Sequence, residues 1–147
     1  MKILFNDKKY ASYYQIYLQD AESEENQENI CNDVNFEKSL GVGNKMLVIN
    51  TARYALVNVK LTVYKTEPKL ELEEAEKINE CSLCITSKIK LGNEVSSDWT
   101  TYEIEHGIYR VRILYKNLST VVGDEGSDAY EIEIWKENEM RETNYLK

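Results

Sequence analysis

Cys81-Ser82-Leu83-Cys84 has the C-x-x-C spacing shared by zinc sites and redox dithiols, and Cys31 and His106 bring the candidate zinc ligands to four. A structural zinc site needs all four to converge. In an extended strand, residues three apart point to opposite faces, so Cys81 and Cys84 diverge. The chain has no second C-x-x-C. A redox dithiol opens a helix within a βαβ unit, a context the pattern around Cys81 lacks. These residues read as buried or half-buried free thiols, with no metal and no cofactor. His106 is the one histidine, and it precedes Gly107 at a predicted turn. No nucleophile signature elsewhere gives it a catalytic partner. Asp124-Glu125-Gly126-Ser127-Asp128 hints at calcium but lacks the alternating ligands and distal Glu of an EF-hand loop. Gly41-Val42-Gly43-Asn44 is a turn, too short and misplaced for a phosphate loop. Carboxylates are plentiful, yet spacing singles out no acid–base pair. The expectation is a protein that is not an enzyme.

Charge says more than motifs do. The net charge is −8 and the pI about 4.8, which argues against nucleic acid, because phosphate contacts need a basic face. It permits a basic protein as partner. Acids gather without bases in two places. Residues 20–37 hold Asp20, Glu22, Glu24, Glu25, Glu28, Asp33 and Glu37, and the Gly-flanked stretch 117–128 holds Asp124, Glu125 and Asp128. Both read as long loops, and long loops often carry function. The predicted partner-binding set is Asp20, Glu22, Glu24, Glu25, Glu28, Asp124, Glu125 and Asp128.

The chain's 147 residues fit one domain with a substantial core. No apolar run approaches the roughly 20 residues that span a bilayer, so no membrane association is expected. The apolar cluster at Ile3-Leu4-Phe5 is too short for a signal peptide. Three cysteines, an odd number, favour reduced thiols and a cytoplasmic setting. Oligomeric state is left open.

The elements that must position these loops are strands. Tyr109, Val111 and Ile113 alternate with Arg110 and Arg112, and Tyr130, Ile132 and Ile134 alternate with Glu131 and Glu133. Such alternation marks strands with one buried and one wet face. A tight turn at His106-Gly107 predicts a hairpin that sets Ile104 opposite Tyr109 and Glu103 opposite Arg110. The last strand, pairing on the other side, sets Arg110 against Glu133 and Arg112 against Glu131, leaving both arginines on the solvent face. Earlier strands are read at 3–5, 12–18, 46–51 and 54–64. The Glu-rich 70–78 could form a short helix. Cys81, Leu83, Ile85, Ile89 and Leu91 keep one parity, as one long strand or two bent at Ser87. The expected architecture is all-β: a single-domain antiparallel β-sandwich over 1–147, of about eight strands with long acidic loops, its 137–147 tail fraying.

Tyr109-Arg110-Val111-Arg112-Ile113-Leu114-Tyr115, Asn117-Leu118-Ser119-Thr120, the acidic Gly loop and Asp128-Ala129-Tyr130-Glu131-Ile132-Glu133-Ile134-Trp135 resemble the C-terminal half of competence protein J-like proteins. These form a bacterial family whose named member inhibits the DNA-entry nuclease of competent cells. The stretches 54–64 and Glu80-Cys81-Ser82-Leu83-Cys84-Ile85 sit where that family has strands. The resemblance covers roughly 46–135, and the acidic 20–37 and Glu-rich 70–77 depart from it. It implies a non-enzymatic protein-binding module, either a nuclease inhibitor or an immunity protein that neutralises a toxin, with a basic nuclease or toxin as partner. A structural or assembly sandwich, phage- or secretion-associated, and a small-ligand-binding sandwich stay open beside it.

Overall fold

Period-two alternation of apolar side chains builds this molecule locally, and eleven strands carry it among the described residues. The computed structural model describes residues 1–25, 30, 37–95 and 97–147. In chain order the strands are β1 (Lys2–Tyr10), β2 (Gln15–Asp20), β3 (Leu40–Val42), β4 (Met46–Asn50), β5 (Leu56–Tyr64) and β6 (Lys77–Ile85). Then follow β7 (Lys88–Gly92), β8 (Thr100–Glu103), β9 (Gly107–Lys116), β10 (Ala129–Glu137) and β11 (Asn144–Tyr145). They form a six-stranded sheet ordered β1-β5-β10-β9-β6-β11 and a five-stranded sheet ordered β3-β4-β2-β7-β8. The two sheets pack face to face as an all-β sandwich.

The core lies between the sheets. Val57, Val59, Leu61, Leu83, Val111, Ile113, Ile132 and Ile134 come from the larger sheet, and Ile16, Leu18, Leu47, Ile49, Ile89 and Leu91 from the smaller. Burying each such side chain contributes about 1.5–3 kcal/mol before chain entropy is counted. The smaller sheet also carries an apolar outer patch, in which Tyr17 and Met46 pack with Trp99. Tyr17 and Trp99 stack with centroids 6.2 Å apart.

Several sequence expectations change here. One pairing is parallel, β10 against β5, so the larger sheet is mixed and not purely antiparallel. The predicted hairpin across His106-Gly107 does not form. β8 pairs with β7 in the smaller sheet and β9 with β6 in the larger, and Ile104 donates its N–H to Ser87 O where both ribbons cross between sheets. The pairing rules could not separate the two options. β6 offers Leu83 opposite Tyr109, Cys81 opposite Val111 and Glu80 opposite Arg112, the same apolar-with-apolar and Glu-with-Arg matching expected of residues 102–105. The constant parity from Cys81 to Leu91 is explained likewise: the chain bends at Thr86-Ser87 and both halves keep their apolar side inward.

β9 and β10 do pair antiparallel, but Arg112 lies opposite Glu133 and Val111 opposite Ile134, a shift of two residues that preserves every face. That register brings the Arg112 guanidinium over the Trp135 ring at 4.9 Å. Arg110 and Arg112 share the outer face as expected, yet they are 0% and 1% exposed. The connection after β5 and the chain end cover them: Arg112 donates to Pro68 O, and Arg110 to Arg141 O and Glu142 O. Residues 137–147, expected as a fraying tail, make contacts with the larger sheet. They supply β11, which pairs with β6, and the Arg141–Glu137 ion pair at 2.7 Å. The Glu-rich 70–78 holds only a single 3₁₀ turn, Leu72–Glu74, before β6 begins. β1 is nine residues long where 3–5 was expected, and 12–14 form a tight turn ahead of β2.

Candidate functional site: two acidic ends

Each acidic stretch roots in a sheet and ends in solvent. β2 delivers the first. Asp20, its last residue, is 0% exposed, accepts the Thr86 hydroxyl at 2.7 Å and lies 3.8 Å from Lys45 Nζ. Its other oxygen receives the Glu22 N–H. Glu25 folds back on the turn after β3, where its carboxylate accepts the N–H groups of Asn44 and Lys45. Gly43 makes room for it, since a Cβ there would collide with that carboxylate and come within 2.8 Å of Ile30 Cδ1. Glu22 and Glu24 are left exposed. Glu28 and Cys31 lie outside the described residues.

The second stretch follows β9. Val122 and Glu125 exchange backbone hydrogen bonds of 2.8 and 3.1 Å around Gly123, whose φ of 62° suits the first position of a two-residue hairpin turn. The tip presents Asp124 and Glu125 to solvent. Asp128 is 0% exposed. It accepts Arg53 Nε at 2.6 Å and the Tyr130 hydroxyl at 2.7 Å, and that same hydroxyl accepts the Ala52 N–H at 2.7 Å. Burial, with Asp128 beside it, pushes the Tyr130 phenol well above its ordinary range. Arg53 also donates to Asp124 O and Leu56 O, so one buried cation ties the acidic hairpin to residues 53–56.

The predicted set therefore divides. Glu22, Glu24, Asp124 and Glu125 face solvent, Glu25 is half-buried on a turn, and Asp20 and Asp128 are buried and committed to ion pairs. Of the expected set, Asp20 and Asp128 are therefore the two already buried and ion-paired within the chain. The exposed members are also not brought together. Asp20 lies with Thr86 at the end of the sandwich where β9 begins, and the 117–128 hairpin lies where β9 ends. Ten residues of strand at about 3.3 Å each put the two groups on the order of 30 Å apart.

Cys81 is buried in the core, and burial pushes its thiol up to about 12. Cys84, on the opposite face of β6, meets Met140 Sδ at 3.5 Å. His106 sits exposed with Nδ1 3.2 Å from Thr86 O. Among the described residues no three His, Cys, Asp or Glu side chains converge as a metal site, and no helix is long and apolar enough to cross a membrane. Sequence reasoning missed the aromatic surface beside the second hairpin, where Tyr10, Tyr13 and Tyr14 pack around Tyr54. Its one sequence signal was four tyrosines flanking two strand boundaries.

No family model matches this chain, and no curated protein matches it. Two solved structures do. One is ComJ, inhibitor of the DNA degrading activity of NucA, from Bacillus subtilis, at a TM-score of 0.68 and 14% identity over 92% of this chain and 97% of that one. The other is described as crocagin biosynthetic gene J, at a TM-score of 0.59 and 15% identity over 91% and 96%. At such identities the likeness is one of fold.

Proposed function

We propose that this chain, whose fold is like that of ComJ, is a non-enzymatic protein of the competence protein J-like kind that binds and inhibits a basic nuclease or nuclease-like toxin. The observation that carries this reading is the near-complete correspondence of both chains with ComJ, 92% and 97%. Charge supports it. A nuclease has a cationic cleft for phosphates, which exposed carboxylates on a rigid sheet can occupy. With the exposed acids split between two ends, one end suffices for a cleft, and the partner meets either the Glu22–Glu24 end or the Asp124–Glu125 end.

The test adds the purified chain, at increasing molar ratio, to NucA and to basic nucleases from the source organism while DNA degradation is followed. The expected result is a stoichiometric loss of DNA degradation, with association that slows as salt rises because screening shortens from about 8 Å at 0.15 M to about 3 Å at 1 M. Undiminished degradation with no complex on a sizing column overturns the reading. Self-assembly in that column would favour an assembly module, and saturable uptake of a small molecule a ligand-binding sandwich.

A further inference from the structure

At the end of the sandwich that carries the Asp124 hairpin, three tyrosine rings meet a fourth edge-on. Tyr10, Tyr13 and Tyr14 lie 5.9, 5.4 and 5.7 Å from Tyr54, ring centre to ring centre. Tyr13 is 62% exposed, Tyr14 47% and Tyr10 39%, and Leu56 beside them is 51% exposed. Isolated exposed aromatics are ordinary, but a contiguous aromatic cluster is what interface centres are built from.

The backbone beneath is held in a conformation that tyrosine disfavours. Tyr13 and Tyr14 have φ of 55° and 63°, the left-handed region in which a bulky residue is an outlier. The surroundings hold the turn from several directions. Buried Asn93 donates to Ser12 O and Gln15 O. Ala11 N–H donates to Ala55 O and Thr51 N–H to Tyr14 O. Lys9 anchors the preceding strand on Asp98 at 3.1 Å. Strain kept in place this way collects at functional sites, and here its product is two rings turned to solvent.

Charge around the cluster selects the occupant. The neighbouring cations Lys9 and Arg53 are buried and neutralised by Asp98 and Asp128. Exposed Glu94 follows Asn93, which is bonded to Ser12, and exposed Asp124 and Glu125 sit on the hairpin that Arg53, next to Tyr54, holds through Asp124 O; Lys8 is exposed on β1. Aromatic faces near exposed carboxylates that outnumber the exposed cations favour guanidinium and ammonium groups, which stack on the rings while the acids satisfy their charge.

We propose that Tyr10, Tyr13, Tyr14 and Tyr54, flanked by Asp124 and Glu125, form the docking surface for an arginine- or lysine-bearing segment of a partner protein. This rests on the basic-partner reading above and chooses between the two acidic ends.

The probe is a fluorescent ten-residue peptide alternating Arg and Gly, titrated with the full chain. Saturable binding is expected. Tyr13→Asn and Tyr14→Asn should each weaken it about tenfold or more, the 1.4 kcal/mol per decade typical of a lost interface anchor, and Asp124→Asn with Glu125→Gln should weaken it most at low salt. Glu22→Gln with Glu24→Gln, at the far end, should leave it unchanged. Because Asn accepts the left-handed conformation better than Tyr, Tyr13→Asn should hold or raise the melting temperature, which separates lost binding from lost folding. Absence of saturable binding, tyrosine variants that bind like wild type, or an equal loss from the Glu22 and Glu24 substitutions overturns the proposal. So does a chain that dimerises through the tyrosines, for then its occupant is a second copy. If the tyrosine variants inhibit a nuclease as well as wild type does, the docking surface falls and the inhibitor reading stands. If the peptide docks on the tyrosines while no nuclease is inhibited, the reverse holds.

Discussion

Glu80 lies between Arg110 and Arg112 and serves both: its Oε2 accepts Arg112 Nε at 2.8 Å and its Oε1 accepts Arg110 Nε at 3.4 Å, on a sheet face closed off from solvent. Removing the acid leaves the buried Arg110 with no carboxylate partner and Arg112 with Glu133 and Glu67 alone. Glu80→Ala should therefore cost about 3–5 kcal/mol, a fall in melting temperature of about 10 °C or more for a chain of this size. The exposed pair Lys69–Glu71 is the internal control, and Lys69→Ala should shift stability by less than about 0.5 kcal/mol. Matching melts for the two variants would refute the buried network.

Alkaline pH should weaken the fold before neutral pH does. Burial raises the thiol of Cys81 to about 12 and pushes the phenols of Tyr115 and Tyr130 upward. Above about pH 8.5 for the thiol and about pH 10 for the phenols, the unfolded chain releases these protons while the folded chain keeps them. The unfolded state then binds fewer protons, and stability falls as pH rises. This stabilisation is complete below about pH 8.5 and drains away through about pH 12. Guanidinium unfolding at pH 7, 9 and 10.5 should show midpoints dropping in that order, with Cys81→Ala flattening the decline. A midpoint that holds to pH 10.5 contradicts the burial of these groups.

A side chain at Gly43 should displace Glu25. Alanine there meets the Glu25 carboxylate and must dislodge it from the N–H groups of Asn44 and Lys45, at about 1–3 kcal/mol for the unsatisfied groups. Hydrogen exchange reads this directly: the amides of residues 44 and 45 should lose protection in Gly43→Ala, while those of β9 keep theirs.

Deleting residues 138–147 should lower stability by about 2–3 kcal/mol, since Arg110 loses two carbonyl partners and β6 loses β11. Denaturant midpoints of the full and shortened chains give the value. A change below about 0.5 kcal/mol would mean that the end contributes nothing.

Much of the fold was legible because alternation depends on local pattern alone. The parity of Tyr109, Val111 and Ile113, the strand character of 54–64 and the two-sheet β-sandwich all follow from it. What failed depended on segments far away. The exposure of Arg112 was decided by Pro68 and that of Arg110 by Glu142, neither of which any period within β9 reports. The choice of β6 over residues 102–105 as partner for β9 was degenerate, both offering Glu and apolar residues at the right spacing. Acid clustering located the solvent-facing hairpin at 122–125 and the exposed Glu22 and Glu24, but not that Asp20 and Asp128 close the strands beneath them, because composition does not distinguish a carboxylate in water from one paired with Lys45 or Arg53.

The parallel union of β5 with β10, which sets Asn58 beside Ala129, has a consequence for synthesis. The ribosome releases β1 and β5 early, and they can zip together as a hairpin while β10 is still unmade. Until translation nears its end, β5 shows a bare edge of N–H and C=O groups flanked by Val57, Val59 and Leu61, a template for strand addition by any other chain. Nascent or prematurely stopped products lacking β10 should therefore collect in inclusion bodies, and the cell's yield of this protein should depend on how quickly its last third follows the first.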